Sequence, residues 1–203
     1  IIFSDGANLR FYHQPEKAPS KHQLLLEFTD GSILACTIQM YGAVLAFIEG
    51  QYNSKYHLVA KEKPQPLTPA FDRKYFDTLF ADGWDKLSAK AFLATEQRIP
   101  GLGNGVLQDI LFNARLHPKR KMGALADKEL DTLFRSIKDT LAEMTRLGGR
   151  DTEKDLFGNE GGYKTILSKN TLGKPCPVCG TEIQKAAYMG ETVYCCPVCQ
   201  MLI

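Results

Sequence analysis

The apolar and polar positions change period along the chain, and the changes divide it. Leu24, Leu26 and Phe28 alternate with Leu25 and Glu27, Asp30-Gly31 marks a hairpin, and Ser32 to Thr37 returns, which predicts antiparallel pairing. Tyr41 to Ile48 is a further strand candidate, so residues 1–60 read as an antiparallel sheet. The stretch Lys61 to Pro69 carries three prolines in nine residues and marks a boundary. From Thr68 the period is helical. Thr68-Pro69 offers an N-cap followed by an N1 proline, Ser88 caps a second helix, a third starts at Asn104, and a fourth runs from Asp127 to about Arg146. In the fourth, Leu130, Leu133, Phe134, Ile137, Leu141 and Met144 form one amphipathic stripe, a core face, and Gly148-Gly149 ends it.

Composition narrows the class without naming a partner. The 203 residues are 44% hydrophobic with a net charge of +2, which fits a globular chain and excludes a disordered one. No apolar run reaches the roughly 18 residues that a membrane span needs. The charge is unevenly placed: residues 85–150 hold 12 basic and 8 acidic residues, while both flanks carry one excess acid. The opening Ile1-Ile2-Phe3 has no basic region ahead of an apolar stretch, and the first methionine is Met40. It reads as the middle of a β-domain, so a segment upstream of Ile1 is expected.

Five of the six cysteines fall in the last 28 residues, as Cys176-Pro-Val-Cys179 and Cys195-Cys196-Pro-Val-Cys199. Two C-x2-C knuckles separated by sixteen residues have the spacing of a structural zinc site, in which Cys176, Cys179, Cys196 and Cys199 close a tetrahedral S4 shell around one Zn2+. Two disulfides are the competing reading, which the lack of a secretory signal disfavours. Gly190 sits at the expected hairpin tip, Cys195 is a spare thiol, and Cys36 reads as a small buried hydrophobe. Arg98-Ile-Pro-Gly-Leu-Gly-Asn104 places Gly101 and Gly103 ahead of a helix N-terminus, where backbone N–H groups favour an anion; a plain inter-helix turn has the same composition. Asn104 can cap that helix or donate to a phosphate. His117-Pro118 followed by Lys119, Arg120 and Lys121 adds cations suited to a phosphate backbone, with His117 itself read as a turn residue.

Gly101-Leu-Gly-Asn104, Leu111-Phe112, His117-Pro118, Gly148-Gly149, Gly173-Lys-Pro-Cys176 and Tyr194-Cys-Cys-Pro-Val-Cys-Gln200, in this order, resemble the formamidopyrimidine-DNA glycosylase/endonuclease VIII family across nearly the whole chain. The resemblance implies an α+β architecture. Residues 1–64 would be the later part of a β-sandwich catalytic domain, 65–170 a helical helix–two-turn–helix DNA-binding domain, and 171–203 a four-cysteine zinc-finger β-hairpin. It implies base-excision repair of duplex DNA carrying a damaged base or abasic site, by glycosylase and abasic-site lyase chemistry on a flipped nucleotide. A cytoplasmic, nucleoid-associated monomer with no membrane partner follows from the same likeness.

By motif, Asn104 matches the family's phosphate-binding asparagine, and Lys90 falls where members often have a basic residue near DNA. Gly158 to Tyr163 falls in the loop that covers the flipped base in some members, and Gln39 and Met40 are placed as wedge candidates. The family nucleophile is an N-terminal proline amine followed by a glutamate; both would precede Ile1, so no catalytic residue is assigned within this chain. At the hairpin tip, where the family commonly has a phosphate-gripping arginine, this chain has Glu191, a carboxylate that repels phosphate. Two other readings stand beside the enzyme: a non-catalytic nucleic-acid-binding protein on the same scaffold and, more distantly, a zinc-ribbon protein of transcription or translation.

Overall fold

The computed structural model describes residues 1–4, 6–39 and 42–202 and has mixed α and β elements, as the α+β expectation requires. The chain forms two compact units: Ile1–Asn53 with Glu153–Gly161, and Ser54–Thr152 with Gly162–Ile203.

The first unit is built on a three-stranded antiparallel sheet of β2 (Ala7–Tyr12), β3 (Leu24–Glu27) and β4 (Ile33–Ile38), with β4 in the middle. Leu9 and Leu24 flank Cys36 in register, and Phe11 and Leu26 flank Leu34. The central strand buries Ile33, Ala35 and Cys36, the last as the sequence expects. The Asp30-Gly31 turn forms because the Asp30 carboxylate accepts from both Ser32 N (2.9 Å) and Ser32 Oγ (2.6 Å), while Gly31 takes φ +81°. Along β2, Phe11 N donates to Leu156 O (2.8 Å), so the returning segment covers that edge. A short pair, β1 (Ile2–Phe3) with β5 (Val44–Leu45), completes the unit's strands. The Tyr41 to Ile48 strand thus contracts to two residues; Met40 and Tyr41 lie outside the described residues.

The second unit starts with α1 (Lys55–Glu62) and α2 (Arg73–Asp77). The cap of α2 is Asp72, whose side chain accepts from Tyr75 N (2.7 Å), and not Thr68. The expected cap fails for a physical reason. Thr68 to Phe71 closes as its own turn, and its Thr68 and Phe71 carbonyls accept from the Lys138 ammonium at 3.2 and 2.9 Å. α3 (Ala89–Ala94) is capped by Ser88 as predicted, with Ser88 Oγ accepting from Ala91 N (3.2 Å). α4 spans Asn104–Asn113 and α5 spans Asp127–Arg146, matching the two expected starts. The stripe of α5 buries Leu130, Leu133, Ile137 and Met144, with Phe134 and Leu141 packed at the margin of the core. Phe71, Phe76, Phe92, Leu107, Ile110, Leu111, Leu133 and Ile137 are fully enclosed there. The unit ends in an antiparallel hairpin, β6 (Gln184–Tyr188) and β7 (Glu191–Cys195).

α4 is enclosed on more than its apolar face. Gln108 and Asp109 are also buried, at 3% and 1% exposure, and each is satisfied by backbone from the chain beyond α5. The Asp109 carboxylate accepts from Ile166 N (2.9 Å) and Leu167 N (2.8 Å). Burial pushes this carboxyl above its ordinary value, while those two amides, the Tyr163 hydroxyl and the Arg150 charge act in the opposite direction. Asp109→Ala leaves the two enclosed amides without an acceptor and is expected to lower the unfolding free energy by roughly 2–5 kcal/mol. Denaturant titration measures it, and a loss below about 1 kcal/mol contradicts the anchoring role.

Candidate functional site

The turn between α3 and α4 is stiff. After α3, Glu96 and Gln97 both take left-handed conformations, φ 57° and 51°, a cost for residues with a Cβ. Two cations hold them. Arg98 donates to Thr95 O (3.2 Å) and Thr95 Oγ1 (3.1 Å) and lies over the Phe92 ring, while the Lys63 ammonium donates to Gln97 O (2.9 Å). Ile99 and Leu102 are buried, anchoring both sides of the Pro100-Gly101 bend, where Gly101 has φ +77°. Gly103 needs no such freedom, since its backbone is extended at φ −107°.

The first intrahelical bond of α4 runs from Leu107 N to Gly103 O (3.2 Å), so the amides of its first turn point outward at the positive end of the helix dipole. Asn104 is the first helical residue and does not cap α4; Gly103 stands at the cap position. Its amide Nδ2 instead donates to Thr192 O of β7 (3.1 Å), and its Oδ1 accepts from Gln108 (3.2 Å). One neighbour of this turn comes from beyond α5. A Cβ placed on Gly105 would meet the Arg150 guanidinium at 2.4 Å, so the glycine is what lets Arg150 approach the helix. Glycine inside a first helical turn, which costs about 1 kcal/mol relative to alanine, was the available sequence signal.

The hairpin meets α3 through Lys90 and α4 through Asn104 and Gln108. The Gln108 side chain donates to Thr192 O (3.2 Å) and accepts from Tyr194 N (3.1 Å), pairing with the free edge of β7 as another strand would. The tip is a two-residue turn with Met189 at φ 56° and Gly190 at φ 76°, the signs of a type I′ turn. The Lys90 ammonium reaches that tip, donating to Tyr188 O (2.9 Å) and pairing with Glu191 Oε2 (2.9 Å). The carboxylate read as an unbalanced repulsion therefore has a counter-ion, and Lys90 is enclosed rather than presented to solvent.

The basic run behaves similarly. Arg120 is bonded to Ala124 O (3.3 Å) and ion-paired with Glu129 (3.3 Å), and Lys121 donates to Lys86 O (2.7 Å). Lys119 extends over the Tyr188 ring, 5.3 Å from its centroid. His117 is a turn residue, as read: its Nδ1 accepts from Lys119 N (3.1 Å), and burial together with Lys119 lowers its pKa. Cys195 lies with its sulfur 4.0 Å from His117 Nε2. Gln39 N donates to Gly6 O (2.8 Å) at the end of β4, while Met40, its partner in the wedge expectation, lies outside the described residues. Within Gly158 to Tyr163 the chain passes from one compact unit to the other, and Tyr163 is buried beside Asp109.

The sulfurs of Cys176, Cys179, Cys196 and Cys199 lie within 4.8 Å of one another, the one such group of metal-binding side chains among the described residues. Cys176 and Cys199 are 3.8 Å apart and Cys179 and Cys196 are 3.4 Å apart. A tetrahedral shell with metal–sulfur bonds of about 2.3 Å has sulfurs roughly 3.8 Å apart, so the quartet can hold a metal ion. Hydrogen bonds from Thr181 draw the Cys179 thiol down to about 6. Cys199 N donates to Cys196 Sγ (3.4 Å) across the second knuckle.

Gln108→Leu is expected to free the Tyr194 amide, speeding its hydrogen exchange about tenfold or more while amides bonded to β6 keep their protection. Equal exchange at Tyr194 in both proteins would contradict the tie.

Residues 63–155 match the family model for the formamidopyrimidine-DNA glycosylase H2TH domain. A formamidopyrimidine-DNA glycosylase from Listeria innocua serovar 6a is 36% identical over 200 residues, covering 94% of this chain and 70% of the relative, and one from Bacillus cereus is 27% identical over 193 residues, covering 93% and 69%. Among solved structures, the MutM (Fpg) protein of Thermus thermophilus superposes with a TM-score of 0.76 at 25% identity, covering 98% of this chain and 77% of that one. The Lactococcus lactis Fpg bound to abasic-site DNA gives 0.76 at 24% identity, over 97% and 72%, and shows the fold. With the helix turn, the cysteine hairpin and a relative of this identity agreeing along one chain, the protein belongs to the formamidopyrimidine-DNA glycosylase family.

Proposed function

We propose that this protein is a base-excision repair DNA glycosylase with abasic-site lyase activity, acting on duplex DNA that carries a damaged base or an abasic site. The observation that carries the reading is the junction of the α4 N-terminus with the cysteine hairpin, through the Asn104 amide on Thr192 O, in a chain 36% identical to a formamidopyrimidine-DNA glycosylase. The outward amides of α4, with Gly101 and Gly103 leaving the turn bare, are suited to a phosphate, and they position a duplex without reading its sequence. Asn104 then has two duties: it pins β7 and stands at the phosphate-facing end of α4. Lys119, over the Tyr188 ring, would add a cation beside the hairpin, while Arg120 serves mainly to hold the turn after α4.

Residues 65–170 would be the DNA-binding helical domain, 171–203 the zinc finger, and 1–64 part of the catalytic β-domain. The quartet Cys176, Cys179, Cys196 and Cys199 fits one Zn2+, whose role with four protein ligands is structural. Glycosidic cleavage and β-elimination need a nucleophile, which the resemblance implies is an N-terminal proline. Its secondary amine would form a Schiff base with the sugar C1′ and draw the electrons of elimination. A cytoplasmic, nucleoid-associated setting suits this chemistry, and no helix among the described residues is long and apolar enough to cross a membrane.

Borohydride trapping on abasic-site duplex with the product of the complete coding sequence tests the reading. A covalent protein–DNA adduct is expected, whereas duplex binding without an adduct would establish the non-catalytic alternative. In the same protein, Asn104→Ala is expected to weaken binding to undamaged, abasic and damaged duplexes by one common factor, about tenfold; a loss confined to one lesion contradicts the positioning role. Removing the metal with a chelator is expected to abolish hairpin protection in hydrogen exchange while α5 stays protected, because the hairpin buries too little apolar surface to persist alone.

A further inference from the structure

The Lys90–Glu191 pair joins α3 to the hairpin tip, and its two members differ sharply in exposure. The Lys90 side chain is 2% exposed, and that of Glu191 is 50% exposed. The ammonium has two acceptors, Glu191 Oε2 and Tyr188 O, both at 2.9 Å and both flanking the Met189-Gly190 turn. Backbone bonds fix the lysine's own position, since Ala89 N donates to Arg120 O (2.8 Å) and Lys90 N to Pro118 O (3.0 Å). Beside it, Ser88 Oγ lies 4.0 Å from Met189 Sδ. A left-handed methionine is a costly turn residue, and here α3 holds the strand residues on both sides of it.

We propose that Lys90 is a positioning residue that acts through Glu191: it clasps the hairpin turn to α3 and cancels the carboxylate, so that the tip meets a phosphate backbone as a neutral surface. The proposal rests on the DNA-binding reading above. Direct phosphate contact by Lys90 would require the ammonium to leave both acceptors and an enclosed site, stranding Glu191 as an exposed anion facing DNA. The two roles give opposite forecasts for a double variant. If Lys90 acts on phosphate, its loss is final. If it acts through Glu191, removing the carboxylate repairs the damage.

The test uses the metal-loaded full chain with undamaged and abasic duplexes across a salt series. Lys90→Met fills the same slot without charge and exposes the unpaired Glu191, so affinity is expected to fall about tenfold at low salt and the slope of log K against log salt to shrink by about one. Glu191→Gln, which leaves the Lys90 ammonium on Tyr188 O alone and the tip net positive, is expected to bind at least as tightly as wild type. The double variant, neutral at the tip as the wild-type pair is, is expected to return to within threefold, with the wild-type slope. A double variant as weak as Lys90→Met overturns the proposal in favour of direct phosphate contact, and a Lys90→Met protein that binds normally overturns it outright. Cobalt absorbance and thermal melting show that each variant keeps its metal site and fold. A wild type that binds no duplex overturns the DNA reading. The clasp is read separately: Lys90→Met should accelerate amide exchange at Gly190 and Glu191, and unchanged exchange overturns it.

Discussion

α4 is enclosed on nearly every side, and the two polar residues in its middle must find partners there. A buried carboxylate or amide left unsatisfied costs more than most single packing contacts return, so Gln108 and Asp109 dictate where the chain goes after α5. Asp109 collects the amides of Ile166 and Leu167, which brings the connecting segment across α4. Gln108 takes the edge of β7, which brings in the hairpin. The same helix buries Leu107, Ile110 and Leu111 against α3 and α5. One ten-residue helix thus serves the main core with one face and holds the connecting segment and the hairpin with the other.

The hairpin shows why those polar ties are needed. Its apolar support is a small cluster of Phe112, Leu167, Ile183, Cys176 and Cys196, and a two-stranded ribbon with that little burial does not stand alone in water. Three devices compensate. The sulfur quartet would fasten the knuckle end around a metal ion, Gln108 holds the middle of β7, and Lys90 holds the tip. Asn104 belongs to the middle tie as well as to the helix N-terminus, so the orientation of the hairpin and the exposure of the α4 amides are set by the same hydrogen bonds.

What the sequence discloses depends on the range of the interaction that decides each feature. α5 is legible because a stripe sustained over twenty residues has one helical interpretation, and the cysteine quartet is legible because knuckle spacing is a local geometric demand. The Ser88 cap is local too. Thr68-Pro69 reads equally well as a cap, and what overrules it is Lys138, seventy residues away, occupying the carbonyls of that turn. Tyr41 to Ile48 has strand composition, but pairing needs a neighbour, and only Val44 and Leu45 have one among the described residues. The left-handed Glu96 and Gln97 carry no sequence mark, since the cations that hold them are not their sequence neighbours alone.

Charge is where sequence reading and structure part most. The excess of positive charge in residues 85–150 invites a search for DNA contacts among its lysines and arginines, yet many of these cations are engaged inside the fold. Lys90 and Arg120 are in ion pairs, Lys121 and Lys138 cap carbonyls, and Arg98 stiffens the turn ahead of α4. A cation paired with a carboxylate is offset in the field a phosphate meets, whereas one bound to a carbonyl keeps its charge but is not free to reach a phosphate. On the DNA-binding reading, phosphate contact at this surface would rest less on free basic side chains than on the oriented amides of α4, behind a turn that Arg98 stiffens. That arrangement accounts for Glu191 at the tip. In a site that presents backbone dipoles, a carboxylate is tolerable when its counter-ion is built into the wall behind it, and Lys90 is that wall.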